Sequence, residues 1–520
     1  MTTTGIWGPG TPPVVRRDDS HYDADVAVIG SGAGGATVAW ALAATGARVL
    51  VVERGGFLPR EAANWSPEAV FGDGRYRNAE TWHTTAGTPF TPAAHYYVGG
   101  TTKVYGASLP RLRESDFEAA EHPDGTSPAW PFPYADLEPY YAEAERLYRV
   151  HGRAGQDPTE PARSGPHPHP PVAHAPRIAE LAERLRAQGL HPHPLELGID
   201  LREGGTCVRC GTCDGFPCRV GAKSDAETRA LRPALRSPTV RLLTHTYVSR
   251  LRTGASGRTV TAVEAHRNGH PVTITAGTVV VSCGAVNSAA LLLRSAGGAH
   301  PGGLGNGSGL VGRNLMLHHN SMLMAVDPRR DPAVFQKTLA VNDYYHAGPH
   351  TPRPLGNLQL MGKVHPAAMA TAHPHVPRRL LGELADRSVD WWLISEDLPL
   401  PGNRVLLGPD GGITLHWRPV NARAHRRLVA AGARMMRRAG HPLVLTHRMG
   451  VEHTGHQCGT TVAGHDPARS VLDPYCRSHE VPNLFVVDGG FFPSSAAVNP
   501  TLTIVAQALR AARRAVLRDP

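Results

Sequence analysis

The apolar positions of this chain change period along its length, and the changes mark out its elements. Residues 25–56 read as a short apolar strand, a glycine-rich turn at 30–35, an Ala-rich helix to residue 46, and a second apolar strand at 48–52 that ends on Glu53. Short apolar runs bounded by glycine predict buried parallel strands, so this stretch is a strand–helix–strand unit. Helical spacing recurs at 133–151, with Asp136 suited to the first turn, and at 177–189, where a glycine stops the helix. Between them, the Pro-rich residues 164–176 predict an extended, solvated connection. Residues 240–276 predict short strands with hairpin turns at 256–257 and 268–269. Residues 278–297 then repeat the strand, small-residue turn and helix pattern, with the turn at Cys283-Gly284-Ala285. From 316 to 444 apolar and polar residues alternate, with β-branched and aromatic residues in the runs, which predicts an antiparallel sheet closed by a helix over 421–439. A last short strand at 484–487 leads to a helix in which Pro500 is the first helical residue and Asn499 the N-cap.

Length and charge narrow the class. A chain of 520 residues exceeds one core, so two or more domains are expected. The formal net charge is +10, but the arginines are scattered and no basic block is interleaved with aromatics, which argues against nucleic-acid binding. No apolar run reaches eighteen residues, the first twenty residues lack signal-peptide order, and Arg16-Arg17 is followed by Asp18-Asp19 rather than an apolar stretch. A cytoplasmic protein without a membrane span is expected. Seven cysteines, four of them clustered, do not suggest a disulfide framework.

The chemistry begins in the first turn. Gly30 permits a tight turn, Gly32 lets the backbone approach a pyrophosphate, and Gly35 lets the helix pack against the strand; Ala33 and Gly34 complete the fingerprint. The helix N-terminus offers free N–H groups to phosphates, and Glu53 suits an unmodified ribose diol, which argues against NADP and leaves FAD and NAD open. Gly99, Gly100, Thr101, Thr102 and Gly106 would let backbone run flat against a planar ligand, or form a plain glycine turn. Cys207, Cys210, Cys213 and Cys218 have a spacing that can hold zinc or an iron–sulfur cluster. No histidine or second cysteine pair stands at an ordinary zinc spacing, so a loop tying down a crossover is the preferred reading and no metal is expected.

The residues G-S-G-A-G-G at 30–35, GGTTKVYGA at 99–107, SCGAVNSAALLLRSAG at 282–297, H-x-x-G-T at 456–460 and VVDGG…NPTLT at the C-terminal end resemble the glucose–methanol–choline (GMC) oxidoreductase family. The resemblance spans nearly the whole chain. Finer texture, including LPREAANW, SPAWP, CDGFPC and GLGNGSGLVGRN, is similar to the bacterial pyranose oxidase and glycoside 3-oxidase branch. It implies an α/β and α+β fold: a Rossmann-like FAD-binding domain with a mixed or parallel sheet from 20–115, 205–315 and 445–520, and an antiparallel-sheet substrate domain from 116–204 and 316–444. It also implies an FAD site that draws on Arg54, Val248, Cys283, Gly284, Asp488, Gly489, Pro500 and Thr501 besides the residues above. The family's catalytic histidine falls on His456 and its second site residue on Asn499. An imidazole near neutral pKa can take the proton of a substrate hydroxyl, and Asn499 can orient the alcohol oxygen. His453 is a rival base, with His456 preferred on motif position. Fungal pyranose oxidases carry a flavin-linked histidine where this chain has Thr-Thr-Lys-Val-Tyr at 101–105, so noncovalent FAD is expected.

The expected activity is oxidation of a secondary alcohol of a sugar or glycoside to a keto-sugar, with electrons passing to O2 or a quinone-like acceptor, in a monomer or small homo-oligomer. Gln359, Lys363 and Trp392 are the substrate-sheet candidates. The alternative is a dehydrogenase for another alcohol, such as the hydroxymethyl group of an aminoglycoside or aminocyclitol. Such a cationic substrate would call for pocket carboxylates, for which Glu396 and Asp390 are candidates. A flavin-binding module that has lost catalysis is the non-enzymatic reading.

Overall fold

A computed structural model describes Val15, residues 19–453 and residues 455–516, without the His453 side chain. Two sheets face a common cavity. In the first, the parallel strands run in the order Val240–Leu243, Val49–Val52, His21–Ile29, His270–Val281. The last of these is shared. Its C-terminal end, Val279 to Val281, is wholly buried and pairs in parallel with Leu484–Val486. Its N-terminal half alternates buried and exposed residues and pairs antiparallel with Val260–Arg267, which in turn pairs with Thr246–Thr253. One continuous twelve-residue strand thus replaces the separate strands expected around 276–278. The hairpin turn at Asn268-Gly269 has both residues at positive φ, the geometry of a two-residue turn. The helices Ala33–Leu42 and Thr501–Ala511 pack against each other; the buried positions of the first are mainly glycine and alanine.

The second sheet is antiparallel throughout, in the order Leu443–Arg448, His319–Val326, Ser388–Ser395, Asn357–Leu360, Leu339–Val341, His193–Pro194. One face is covered by the helix Ala422–Arg438: Leu428, Met435 and Met436 bury against Leu323, Leu358, Trp391 and Leu393. The other face carries Met322, Met324, Gln359 and Trp392 to the cavity. One face is therefore packed, and the other lines the cavity.

Two expectations are corrected. The connection at 164–176 is not fully solvated: His167 is buried against Gly152, and burial pushes its imidazole down to about 4. The C-terminal helix starts one residue later than the proline rule suggests. Pro500 is its N-cap, giving its carbonyl to Ile504 N at 3.0 Å, and Asn499 lies outside the helix because its side chain is engaged elsewhere. Among the described residues no helix is long and apolar enough to cross a membrane.

Candidate active site

A cavity of about 1500 Å³ runs between the sheets. Every residue named above for the dinucleotide, the catalytic pair and the substrate wall lines it except Gly35 and Gly99. Those two act behind the wall. A Cβ on Gly35 would stand 2.0 Å from Gly30 O, and Gly99, at φ +97°, makes the turn that brings Gly100 against Gly32.

The fingerprint turn shows what a ligand would need. A Cβ on Gly30 would meet Ser282 O at 2.2 Å and one on Gly34 would meet Val487 O at 1.8 Å, so both glycines pack strand ends together. Gly32 differs: a Cβ there would meet nothing within 4 Å and would project into open space at the N-terminus of the helix, where a pyrophosphate would fit. Glu53 accepts hydrogen bonds from Ser31 N and Oγ on Oε2 and from Gly55 N on Oε1, which leaves acceptor capacity on Oε1 for a ribose hydroxyl. Burial raises its pKa and these donors oppose the rise. Asp488 is spent on the protein instead: Oδ2 accepts from Gly284 N and Ser288 Oγ, and Oδ1 from Gly490 N, joining the two strand-end turns that floor the cavity. Cys283 lines the cavity partly exposed, and burial pushes its thiol up to about 12.

At the other end stand His456 and Asn499. His456 is placed by a two-residue ladder in which Met316 pairs with Cys458 and Leu317 with Gln457. Gly459, at φ +89°, closes this ladder; a Cβ there would meet Asn314 O at 2.2 Å, which explains the glycine of the H-x-x-G-T motif. Thr460 ties the motif to the helix Ala285–Arg294 through Ala285 O at 2.7 Å. The antiparallel register puts His318 opposite His456, and their Nδ1 atoms lie 3.0 Å apart. His318 was not among the residues singled out from the sequence. Burial, and secondarily the neighbouring His318, push His456 down to about 3, so its ring is neutral at ordinary pH. The rival His453 side chain lies outside the described residues.

Asn499 is held by Gln359, whose Nε2 donates to Asn499 Oδ1 at 3.0 Å while its Oε1 accepts from Ser108 Oγ at 2.9 Å. Gln359 therefore braces Asn499 as well as lining the cavity. Trp392 reaches the cavity with Nε1 bonded to Asn320 Oδ1 at 2.9 Å. Lys363 also lines it, while its ammonium is tied to the carbonyls of Ala385 and Ser388 and pairs with Asp331. The candidate carboxylates do not face the cavity. Glu396 accepts from Ser127 Oγ and pairs with His122, and Asp390 lies beneath the 361–364 segment, accepting from Val364 N. The carboxylates on the substrate side of the lining are Asp214 and Glu452.

Asp214 comes from the cysteine-rich loop. It pairs with Lys337 and accepts from Gly362 N at 2.6 Å, while Lys223, wholly buried, donates to the carbonyls of Tyr105, Cys213 and Phe216. Two lysines thus fasten this loop to the segment around Gly106. The four cysteines are unpaired thiols, and among the described residues no group of three or more His, Cys, Asp or Glu side chains converges as metal ligands. Lys103, in the segment where fungal pyranose oxidases carry the linked histidine, is buried in ion pairs with Asp225 and Glu227.

Known proteins resemble this chain over most of its length. Family models described as GMC oxidoreductase match residues 73–320 and 413–508, and an NAD(P)-binding Rossmann-like model matches 28–97. The chain is 34% identical to paromamine 6'-oxidase of Streptomyces fradiae over 96% of its length and 92% of that protein. It is 34% identical to 6'''-hydroxyparomomycin C oxidase of Streptomyces lividus over 94% and 90%, and 31% identical to 2-methyl-1,2-propanediol dehydrogenase of Mycolicibacterium austroafricanum over 94% of each. Among solved structures, pyridoxine 4-oxidase from Mesorbium loti shares the fold with a TM-score of 0.66 at 21% identity, covering 96% of this chain and 100% of that one. With the fingerprint cradle, the ribose acid and the histidine–asparagine end joined in one cavity, the chain belongs to the GMC oxidoreductase family: an FAD-dependent α/β oxidoreductase acting on alcohol groups.

Proposed function

We propose that this protein oxidises the exocyclic hydroxymethyl group of an amino sugar or aminoglycoside to the aldehyde. The observation that carries alcohol oxidation is that a neutral, partly buried imidazole, His456, and a side-chain amide, Asn499, line the same cavity. The two relatives at 34% identity are named paromamine 6'-oxidase and 6'''-hydroxyparomomycin C oxidase, which favours the hydroxymethyl reading over the ring 3-oxidation suggested by sequence texture. The cavity volume leaves room for a multi-ring glycoside beside a cofactor.

In the proposed reaction His456 accepts the hydroxyl proton, the O–H electron pair left on oxygen becomes the second bond of the new C=O, and the hydrogen on the same carbon leaves with its C–H electron pair as hydride. FAD supplies the hydride acceptor when bound, held by the 30–34 turn, Glu53, Gly100 and the start of the helix Thr501–Ala511. Asn499 Nδ2 donates to the alcohol oxygen, on which negative charge grows as its proton leaves. Asp214, already paired with Lys337 and bonded to Gly362 N, and Glu452 are lining carboxylates that would lie nearer a substrate ammonium than Glu396 and Asp390 do.

The test is anaerobic mixing of the FAD-loaded protein with matched amino sugars, neutral glycosides and 6-deoxy counterparts, watching the flavin's visible band. Bleaching by amino sugars but not by their 6-deoxy counterparts is expected. Bleaching that survives 6-deoxygenation would overturn the hydroxymethyl assignment in favour of a ring alcohol. Reoxidation by oxygen or by a quinone then distinguishes oxidase from dehydrogenase.

A further inference from the structure

We infer that His318 is a positioning residue that locks His456 in the tautomer whose Nε2 is bare and ready to take a proton. The inference rests on the reading of His456 as the base, and it follows from counting donors. His318 Nε2 lies 2.9 Å from Ser495 O, and a carbonyl only accepts, so this nitrogen carries a hydrogen. His318 is buried, and burial lowers its pKa, so the ring is neutral and its Nδ1 holds a lone pair. The contact between the two Nδ1 atoms needs one hydrogen, and only His456 can supply it. His456 is therefore the Nδ1–H tautomer. Its Nε2 is the remaining basic atom of the ring and has no partner among the described residues.

The arrangement is set by backbone structure. The 316–317 and 457–458 ladder fixes both rings in register, Asp397 Oδ2 accepts from Leu317 N at 3.0 Å, and the hydroxyl of Ser495 donates to Asp397 O at 3.0 Å. Ser495 O is thus as firmly placed as the strand itself. A neutral imidazole as orienting partner also differs in effect from a carboxylate. A carboxylate beside Nδ1 would stabilise the imidazolium and raise the pKa of the base, whereas His318 fixes the tautomer and leaves the base unprotonated across the physiological range.

Two variants test this. His318→Leu keeps bulk and removes the acceptor; His318→Asn keeps an acceptor oxygen near the Nδ1 position. Flavin reduction at saturating alcohol should slow roughly 10- to 100-fold in the leucine variant, the cost of an unmade buried hydrogen bond, with FAD content and half-saturating substrate unchanged. The asparagine variant should stay within about 5-fold of wild type. A second readout needs no turnover. In 15N-histidine spectra of the FAD-loaded protein, the signals assigned to His456 by difference from His456→Asn should show a protonated Nδ1 and a bare Nε2, and His318→Leu should shift them toward tautomer exchange. A wild-type His456 protonated at Nε2, or a leucine variant with wild-type reduction and spectrum, would overturn the inference. Failure of every alcohol to bleach the wild-type flavin would instead remove the functional reading, while the spectra would still decide the tautomer.

Discussion

Gln359→Glu is an isosteric change that should disable the site through an atom of another residue. As built, Ser108 donates to Gln359 Oε1 and Gln359 Nε2 donates to Asn499 Oδ1, which leaves Asn499 Nδ2 as the polar group available to a substrate in the cavity. A glutamate at 359 cannot donate. Asn499 then gains most by turning its amide to give Nδ2–H to the new carboxylate, and its Oδ1 swings toward the substrate. The alcohol oxygen would then face two acceptors, His456 Nε2 and Asn499 Oδ1, with one hydroxyl proton between them and no donor for its growing charge. Losing one donor of this kind costs about 10²- to 10³-fold in rate, or roughly 3–4 kcal/mol. Gln359→Met, equally long but unable to donate or accept, releases Asn499 without reversing it and should cost about 10-fold or less. The assay is anaerobic stopped-flow reduction of bound FAD, with cofactor content measured first. In an Asn499→Ala background Gln359→Glu should have little further effect, because it acts through that side chain. A glutamate variant as fast as the methionine variant, or a full additional loss in the Asn499→Ala background, would refute the polarity argument.

Other expectations follow from single contacts. The base works when neutral, and with His456 held near 3 its competence is present above that value and lost only as pH falls through it. The kcat/KM for flavin reduction should therefore stay flat from pH 8 to about 5, and an acid limb centred near the ordinary histidine value would contradict the burial argument. Gly32→Val places a side chain in the phosphate cradle and should abolish FAD retention while far-UV circular dichroism stays native, whereas Gly34→Ala drives a Cβ into Val487 O and should cost soluble expression. Lys223→Met strands three carbonyls that share one ammonium, and urea titration should register a loss of roughly 3 kcal/mol or more.

What could be read in the sequence depended on the range of the determining contact. The 30–35 turn was legible because Gly30, Gly34 and Gly35 answer to clashes with strand ends, and those clashes recur wherever a strand, turn and helix must carry a dinucleotide. The six-stranded sheet was legible from alternation, but the destination of its polar residues was not. Asp390 and Trp392 are two apart and share a face, yet Trp392 reaches the cavity while the 361–364 segment covers Asp390. The cysteine spacing favoured a tie over a metal, but the partners that fasten the loop, Lys223 and Lys337, lie one beyond the cluster and one far along the chain. The His456 end of the cavity gives the sharpest case. His456 and Asn499 were singled out by motif as the proposed catalytic pair, but whether an imidazole offers a lone pair or a hydrogen, and whether an amide turns its nitrogen or its oxygen outward, is decided by the neighbour holding the other end. Those neighbours, His318 and Gln359, stand 138 and 140 residues away, brought in by strand register. A site residue's identity is local information; its polarity is a property of the fold.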